Sequence, residues 1–238
     1  MKAAIIAAGT GRRLAEGGLL VPKPLVNVGG EPMIARAIHA AAMLKTASVA
    51  CIVNDLNPAV SEYLRSRSWP VPLELVLKTT PSSMESLFCL APLLREEPFV
   101  LFTVDAIFPF ETLERFFEKA RNKKEAQGVL ALTTFVDDEN PLWVKLNASH
   151  EVVAMGDEAK GSSYATAGFY YFNPRIFSMM TTAREKNLNS LRQFLGLLVE
   201  EGYMFYGIPV SKTVDVDYPE DIEKAEAYLK EIGEGCRA

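Results

Sequence analysis

The sequence predicts an α/β domain built on a mostly parallel sheet, and three features carry that prediction. Short apolar runs alternate with helix-patterned stretches from residue 3 to residue 124. The first run, residues 3–7, is continuously apolar, as expected of a strand buried on both faces. A loop rich in glycine and proline, residues 8–24, follows it directly. Open α/β sheets place their ligands beyond the carboxyl ends of such strands.

The elements follow in order. Residues 32–43 set Met33, Ile34, Ala37, Ile38 and Ala41 along one side of a helix. Residues 49–53 read as a second strand. Asn57-Pro58 opens a helix well, since Asn can cap a first turn and Pro suits its first position. Residues 73–77 form a third strand, and Ser82-Ser83-Met84-Glu85 fits a capping box before an apolar helix running to residue 94. Residues 99–103 are a fourth strand and residues 109–124 another helix. Right-handed crossovers between parallel strands follow from this order. From residue 128 the rhythm changes. Residues 129–135, 142–146, 151–155 and 165–172 all have strand character, which predicts an antiparallel or mixed extension at one end of the sheet. Helical patterns return at 191–201 and 219–232, around a strand at 204–208. The tail beyond Gly233 is expected to fray.

Composition narrows the function. With 238 residues, 49% of them hydrophobic, the chain can bury the core of one sizeable domain spanning residues 1–238. A net charge of −5 and the lack of a basic tract argue against a nucleic-acid polymer or an anionic membrane as partner. No apolar run approaches the roughly 18 residues that span a bilayer. Residues 1–8 are apolar but shorter than a signal-peptide core. Cys51, Cys89 and Cys236 are far apart and odd in number, which is neither a disulfide framework nor a zinc pattern. A cytoplasmic, reducing setting is the default expectation. His39 and His150 lack partner patterns for catalysis or metal binding and are read as structural.

The first loop reads Ala7-Ala8-Gly9-Thr10-Gly11-Arg12-Arg13-Leu14, then Val21-Pro22-Lys23-Pro24-Leu25. Small residues let backbone approach a ligand, and glycine can turn N–H groups inward as an anion cradle. The dinucleotide fingerprint is excluded, because Leu14 stands where its third glycine belongs. The P-loop pattern is absent as well. What remains is a glycine-rich loop carrying Arg12, Arg13 and Lys23, and Gly9-x-Gly11 taken alone fits an ordinary solvated loop equally well.

The whole string is more specific. It resembles the signature of the sugar-phosphate nucleotidylyltransferases of the GT-A type, and Val28-Gly29-Gly30-Glu31-Pro32-Met33-Ile34 resembles that family's continuation into its first helix. The resemblance implies a three-layer, Rossmann-like α/β/α fold. Residues 1–127 would form the nucleotide-binding half, and residues 128–232 the acceptor-binding half with a metal segment near the carboxyl end. It implies a Mg²⁺-dependent enzyme that joins a nucleoside triphosphate to a phosphorylated small molecule and releases pyrophosphate. Ala7, Ala8, Gly9, Thr10, Gly11 and Arg12 would then lie against the nucleotide. Arg13 and Lys23 match the family's phosphate-binding cations, although Arg12 stands where many members have Thr or Ser.

Asp105 ends the fourth strand and matches the family's first metal aspartate, while an N-cap or turn role explains it equally on the sequence alone. Val214-Asp215-Val216-Asp217-Tyr218-Pro219-Glu220-Asp221 resembles the family's carboxyl-terminal acidic segment, with Tyr218 in place of Thr. Asp217 best matches the second metal ligand, and Asp215 is a further candidate. Mg²⁺ takes only one or two protein carboxylates and completes its shell with phosphate and water, so two distant aspartates suffice. Glu220 and Asp221 suit the first turn of a helix.

Ser82, Ser83 and Met84 correspond to the stretch that meets base and ribose, and a plain capping box explains the serines too. Thr166 and Gly168, within Ala165-Thr166-Ala167-Gly168-Phe169-Tyr170, resemble the segment that lines the acceptor pocket, with Thr166 replacing the usual Asn. Lys160, in Asp157-Glu158-Ala159-Lys160, is either an acceptor-phosphate residue or a solvated loop lysine. The family's usual Glu-Lys-Pro is missing there, which keeps a phosphorylated alcohol such as phosphocholine open beside a sugar 1-phosphate. A molybdenum-cofactor guanylyltransferase shares the first loop, and a non-catalytic nucleotide-binding regulatory module is the alternative of another class. Base, pathway and assembly into a homo-oligomer are left open.

Overall fold

A computed structural model describes residues 1–136 and 141–234. Its elements run β1 (Lys2–Ala7), α1 (Arg12–Glu16), β2 (Asn27–Val28), β3 (Glu31–Pro32), α2 (Met33–Met43), β4 (Val49–Val53), α3 (Pro58–Arg65), β5 (Leu73–Leu77), α4 (Ser83–Leu94) and β6 (Phe99–Thr103). Then come β7 (Ala106–Ile107), α5 (Phe110–Ala120), β8 (Gly128–Thr133), β9 (Trp143–Leu146), β10 (Val152–Met155), β11 (Tyr164–Phe172), α6 (Met180–Glu185), α7 (Leu191–Glu200), β12 (Phe205–Pro209), β13 (Val214–Asp215) and α8 (Pro219–Glu231).

Nine of these strands form one sheet. Strands β5, β4, β1 and β6 lie side by side and parallel. Strand β11 runs antiparallel beside β6, and β8 and β9 pair with it, so the extension at one end is mixed as expected. Strand β12 then adds parallel to β8. Side chains alternate across β1: Ala3, Ile5 and Ala7 face one core with α2 and α5, while Ala4 and Ile6 face the other with α4 and α7. That period of two, with helices on both faces, is a three-layer α/β/α sandwich.

Several boundaries differ from the sequence reading. Helix α5 ends at Ala120 rather than 124, because turns at Asn122 and Lys123 lead the chain into β8. Strand β8 stops at Thr133, where the Thr133 hydroxyl accepts from the Phe135 N–H and bends the backbone. The loop after β1 contains α1 and a 3₁₀ turn, Lys23–Leu25. A 3₁₀ helix, Pro174–Met179, and α6 fill a stretch for which the pattern assigns no element. Both are too short for a helical period to show. The tail differs too: the Glu234 carboxylate accepts from Arg36 Nη2 at 2.6 Å and from the Phe110 N–H at 2.9 Å, so it is tied to α2 and α5. Cys236 and the rest of the expected frayed end lie outside the described residues.

Candidate active site

The carboxyl ends of the parallel strands open onto one cleft. Lys23 is brought there by its flanking prolines and the tight turn they start. Its stem passes Gly11 so closely that a Cβ there would lie 2.8 Å from the Lys23 Cβ, and Gly11 holds φ +64°. Only glycine adopts that geometry without strain. Gly11 also precedes α1 with no side-chain cap, leaving first-turn N–H groups to solvent or an anion.

Asp105 and Asp217, distant in sequence, meet through a two-stranded ladder. Val214 pairs with Ile107 and Asp215 with Ala106, and the Val216 N–H donates to the Asp105 carbonyl at 3.0 Å. Asp221 then accepts from the N–H groups of Asp217 and Tyr218 at 3.1 and 2.9 Å, fixing the turn into α8. The sequence reading gave Asp221 only a helix-dipole role, and the structure adds this positioning of Asp217.

Between the two carboxylates lies the Lys23 ammonium, 2.7 Å from Asp105 Oδ2 and 2.6 Å from Asp217 Oδ1. Arg13 Nη1 reaches the other Asp217 oxygen at 2.8 Å, with its guanidinium carbon 5.4 Å from the centre of the Tyr218 ring. The Lys23 side chain is only 11% exposed. Burial alone disfavours its charge, but Asp105 and Asp217 together outweigh burial and hold it protonated well above the ordinary lysine range. For Asp105, burial works against the charged form, and Lys23 reverses that to leave its carboxyl below the ordinary value.

The cleft has a volume of about 390 Å³. Arg13, Ser83, Asp105, Thr166, Gly168, Asp215 and Asp217, seven of the residues singled out from the sequence, line it. Gly168 holds φ +79° at the irregularity in β11 between Thr166 and Tyr170. The Thr103 hydroxyl donates to its carbonyl at 3.1 Å.

Other candidates are placed differently. Ala7, Ala8 and Met84 are buried. Gly9, Thr10 and Arg12 are exposed on the loop. The Ser82 hydroxyl caps α4 by accepting from the Glu85 N–H, while Glu85 turns away to Arg184 at 2.8 and 2.7 Å. The reciprocal half of the capping box is therefore not made by Glu85. The Ser83 hydroxyl accepts from the Leu191 N–H at 3.0 Å and ties α4 to α7. Lys160 does not line the cleft, and its ammonium pairs with Asp157 at 2.7 Å. Arg192 and Tyr170, passed over in the sequence, do line it. A cation just after the Ser190 cap of α7 was the available signal for Arg192. Burial pushes the Tyr170 phenol up to about 12, so it serves the cleft as a neutral hydroxyl.

A glycine-rich loop, two cations and a pair of convergent carboxylates thus share one cleft of a three-layer α/β/α fold. Residues 2–232 match the family described as Nucleotidyl transferase, and the chain belongs to that family. It is 28% identical to mannose-1-phosphate guanyltransferase of Saccharomyces cerevisiae over 93% of this chain, and spans 62% of that protein's length. It is 23% identical to the UTP–glucose-1-phosphate uridylyltransferase AglF of Haloferax volcanii, over 97% of both chains. The fold matches the solved inositol-1-phosphate CTP transferase from T. maritima with a TM-score of 0.84 and 20% identity, covering 100% of this chain and 98% of that one.

Proposed function

We propose that the protein transfers a nucleotidyl group from a nucleoside triphosphate to a phosphorylated small molecule, a sugar 1-phosphate in the first instance. An acceptor phosphate oxygen attacks the α-phosphorus in line. The bond to the bridging oxygen breaks, and pyrophosphate leaves with the electron pair. The attacking oxygen is already anionic at neutral pH, so no general base is needed.

The carrying observation is the Lys23 ammonium within 2.7 Å of both Asp105 and Asp217, with Arg13 beside it. Fixed cations there stabilise charge that grows on the equatorial oxygens and on the leaving pyrophosphate. The two carboxylates also fit a hard divalent cation. They are oxygen donors that reach a common point, and Mg²⁺ requires no more than two from protein. Among the described residues no group of three or more His, Cys, Asp or Glu could hold a metal, so phosphate and water would complete the shell. Bound there, Mg²⁺ would neutralise and orient the α-phosphate.

In this reading residues 1–127 form the nucleotide-binding half and residues 128–232 the acceptor-binding half. The loop after β1 and the start of α4 hold the nucleotide, and Gly168, Thr166 and the β8–β11 region face the acceptor. Asp215 lines the same cleft. A phosphorylated alcohol is the second reading. It is favoured by the Thr166 hydroxyl, which is engaged with Tyr170, and by apolar Phe135, Leu142 and Leu195 on the acceptor side. No helix among the described residues is long and apolar enough to cross a membrane. Pyrophosphate release, measured for four nucleotides against sugar 1-phosphates, inositol 1-phosphate and phosphocholine, tests the reading. Release with none of them, with Mg²⁺ present, would sink it.

A further inference from the structure

We propose that Lys23 holds the cation position of the cleft until the phosphates of a nucleotide draw it away, so that divalent-metal binding waits on nucleotide binding. The inference rests on the metal role given above to Asp105 and Asp217. It adds an order of events that neither the fold nor that role requires.

The spacing of the two carboxylates is set by backbone. The β7–β13 ladder and the Val216-to-Asp105 hydrogen bond hold Asp105 and Asp217 together regardless of what lies between them. Lys23 Nζ then occupies the point from which both can be reached, at 2.7 and 2.6 Å. A dication meeting the same two oxygens would collide with the ammonium, both sterically and by charge. Both Asp217 oxygens already face a cation, Oδ1 the Lys23 ammonium and Oδ2 Arg13 Nη1 at 2.8 Å.

Charge gives the same answer. Within the ion-paired cluster, Asp105 and Asp217 are matched by Lys23 and Arg13. A dication added to these four groups alone would leave them with surplus positive charge in a partly buried place, at a desolvation cost. A triphosphate arriving with it removes that surplus and offers Lys23 and Arg13 new partners. Lys23 is built for such a move. Its backbone is fixed by Pro22, Pro24 and the contact with Gly11, while its four-carbon stem can swing towards the glycine loop. Metal affinity without nucleotide is then reduced by the fraction of molecules in which the lysine is withdrawn. Nucleotide must raise metal affinity by the same factor that metal raises nucleotide affinity.

The test uses Mn²⁺ as the metal probe, with free Mn²⁺ read by electron paramagnetic resonance and no nucleotide present. The full chain is compared with Lys23→Met, which keeps the stem and loses the ammonium, and with Lys224→Gln. The latter removes one positive charge from the same cleft, at an ammonium 3.0 Å from Asp221. Lys23→Met should bind Mn²⁺ at least about tenfold more tightly than the unaltered protein, and Lys224→Gln should change affinity by less than about threefold. Lys23→Met should also melt at lower temperature without metal and recover on adding Mn²⁺. Equal affinity in the unaltered protein and Lys23→Met, or an equal gain in both variants, overturns the inference and leaves the metal role standing. No Mn²⁺ binding even with nucleotide present overturns both. Should Lys23→Met fail to fold, nitrogen-15 NMR of the unaltered protein decides: Mg²⁺ with nucleotide must shift the Lys23 ammonium signal, and Mg²⁺ alone at the same concentration must not. A full shift with Mg²⁺ alone contradicts the proposed order.

Discussion

A side-chain carbon at Gly168 would stand 2.3 Å from the Cβ of Ala106, the residue that follows Asp105. The irregularity in β11 therefore abuts the turn that carries Asp105. Gly168→Ala adds both that overlap and a left-handed backbone that a side chain resists. The expected loss is about 2–4 kcal/mol in urea unfolding. Pyrophosphate release should fall with it, since Asp105 moves when Ala106 is pushed. Unchanged stability would show that the turn yields freely.

Lys23→Ala should lower kcat by about 10²–10³, the effect of losing one donor to a developing oxyanion. Asp105→Asn and Asp217→Asn should each abolish metal-dependent turnover with circular dichroism close to that of the unaltered protein. Full activity in both aspartate variants would remove them from the mechanism.

Arg36 is buried, with 7% of its side chain exposed, and Glu234 balances its charge while the Phe110 ring lies 4.3 Å from the guanidinium carbon. Glu234→Gln should cost about 3 kcal/mol in chemical denaturation, because a buried cation loses its counter-charge. A stop after Gly233 should cost more, since the Phe110 N–H also loses its acceptor.

Glu85 and Arg184 give a pH dependence. The Arg184 hydrogen bonds hold the Glu85 carboxyl below its ordinary value of 4.5, against the opposing effect of burial. A depressed folded-state pKa stabilises fully above the unfolded value, and the contribution is lost as pH falls through the folded one. Arg184→Ala should therefore lower stability at pH 7, and the difference should shrink below pH 4.5. The guanidinium is half exposed, so the effect at pH 7 is expected to stay near 1 kcal/mol. A difference that grows on acidification would contradict this pairing.

The sequence made the parallel core legible because its strands are short apolar runs, broken only by Glu74 in β5, and its helices carry apolar stripes. The glycine loop, Asp105 and Asp217 were found from motif resemblance, since apolar periodicity carries no information about them. What brings the aspartates together was hidden. Strands β7 and β13 are two residues each, too short for any pattern to register. Helix α6 escaped for the same reason. Glu85 matched a capping box locally, but Arg184, 99 residues away, took its carboxylate. Lys160 offered a plausible charge at a plausible position, and only the path of the chain after β10 shows it pointing to Asp157. The Arg184 partner of Glu85 is a contact distant in sequence, which local chemistry cannot report.

Pyrophosphate release with Mg²⁺, a nucleoside triphosphate and a phosphorylated acceptor tests the central claim most directly. The account predicts turnover with at least one nucleotide–acceptor pair, abolished by chelating the metal and by Asp217→Asn. Turnover that survives both the chelator and the substitution would contradict it.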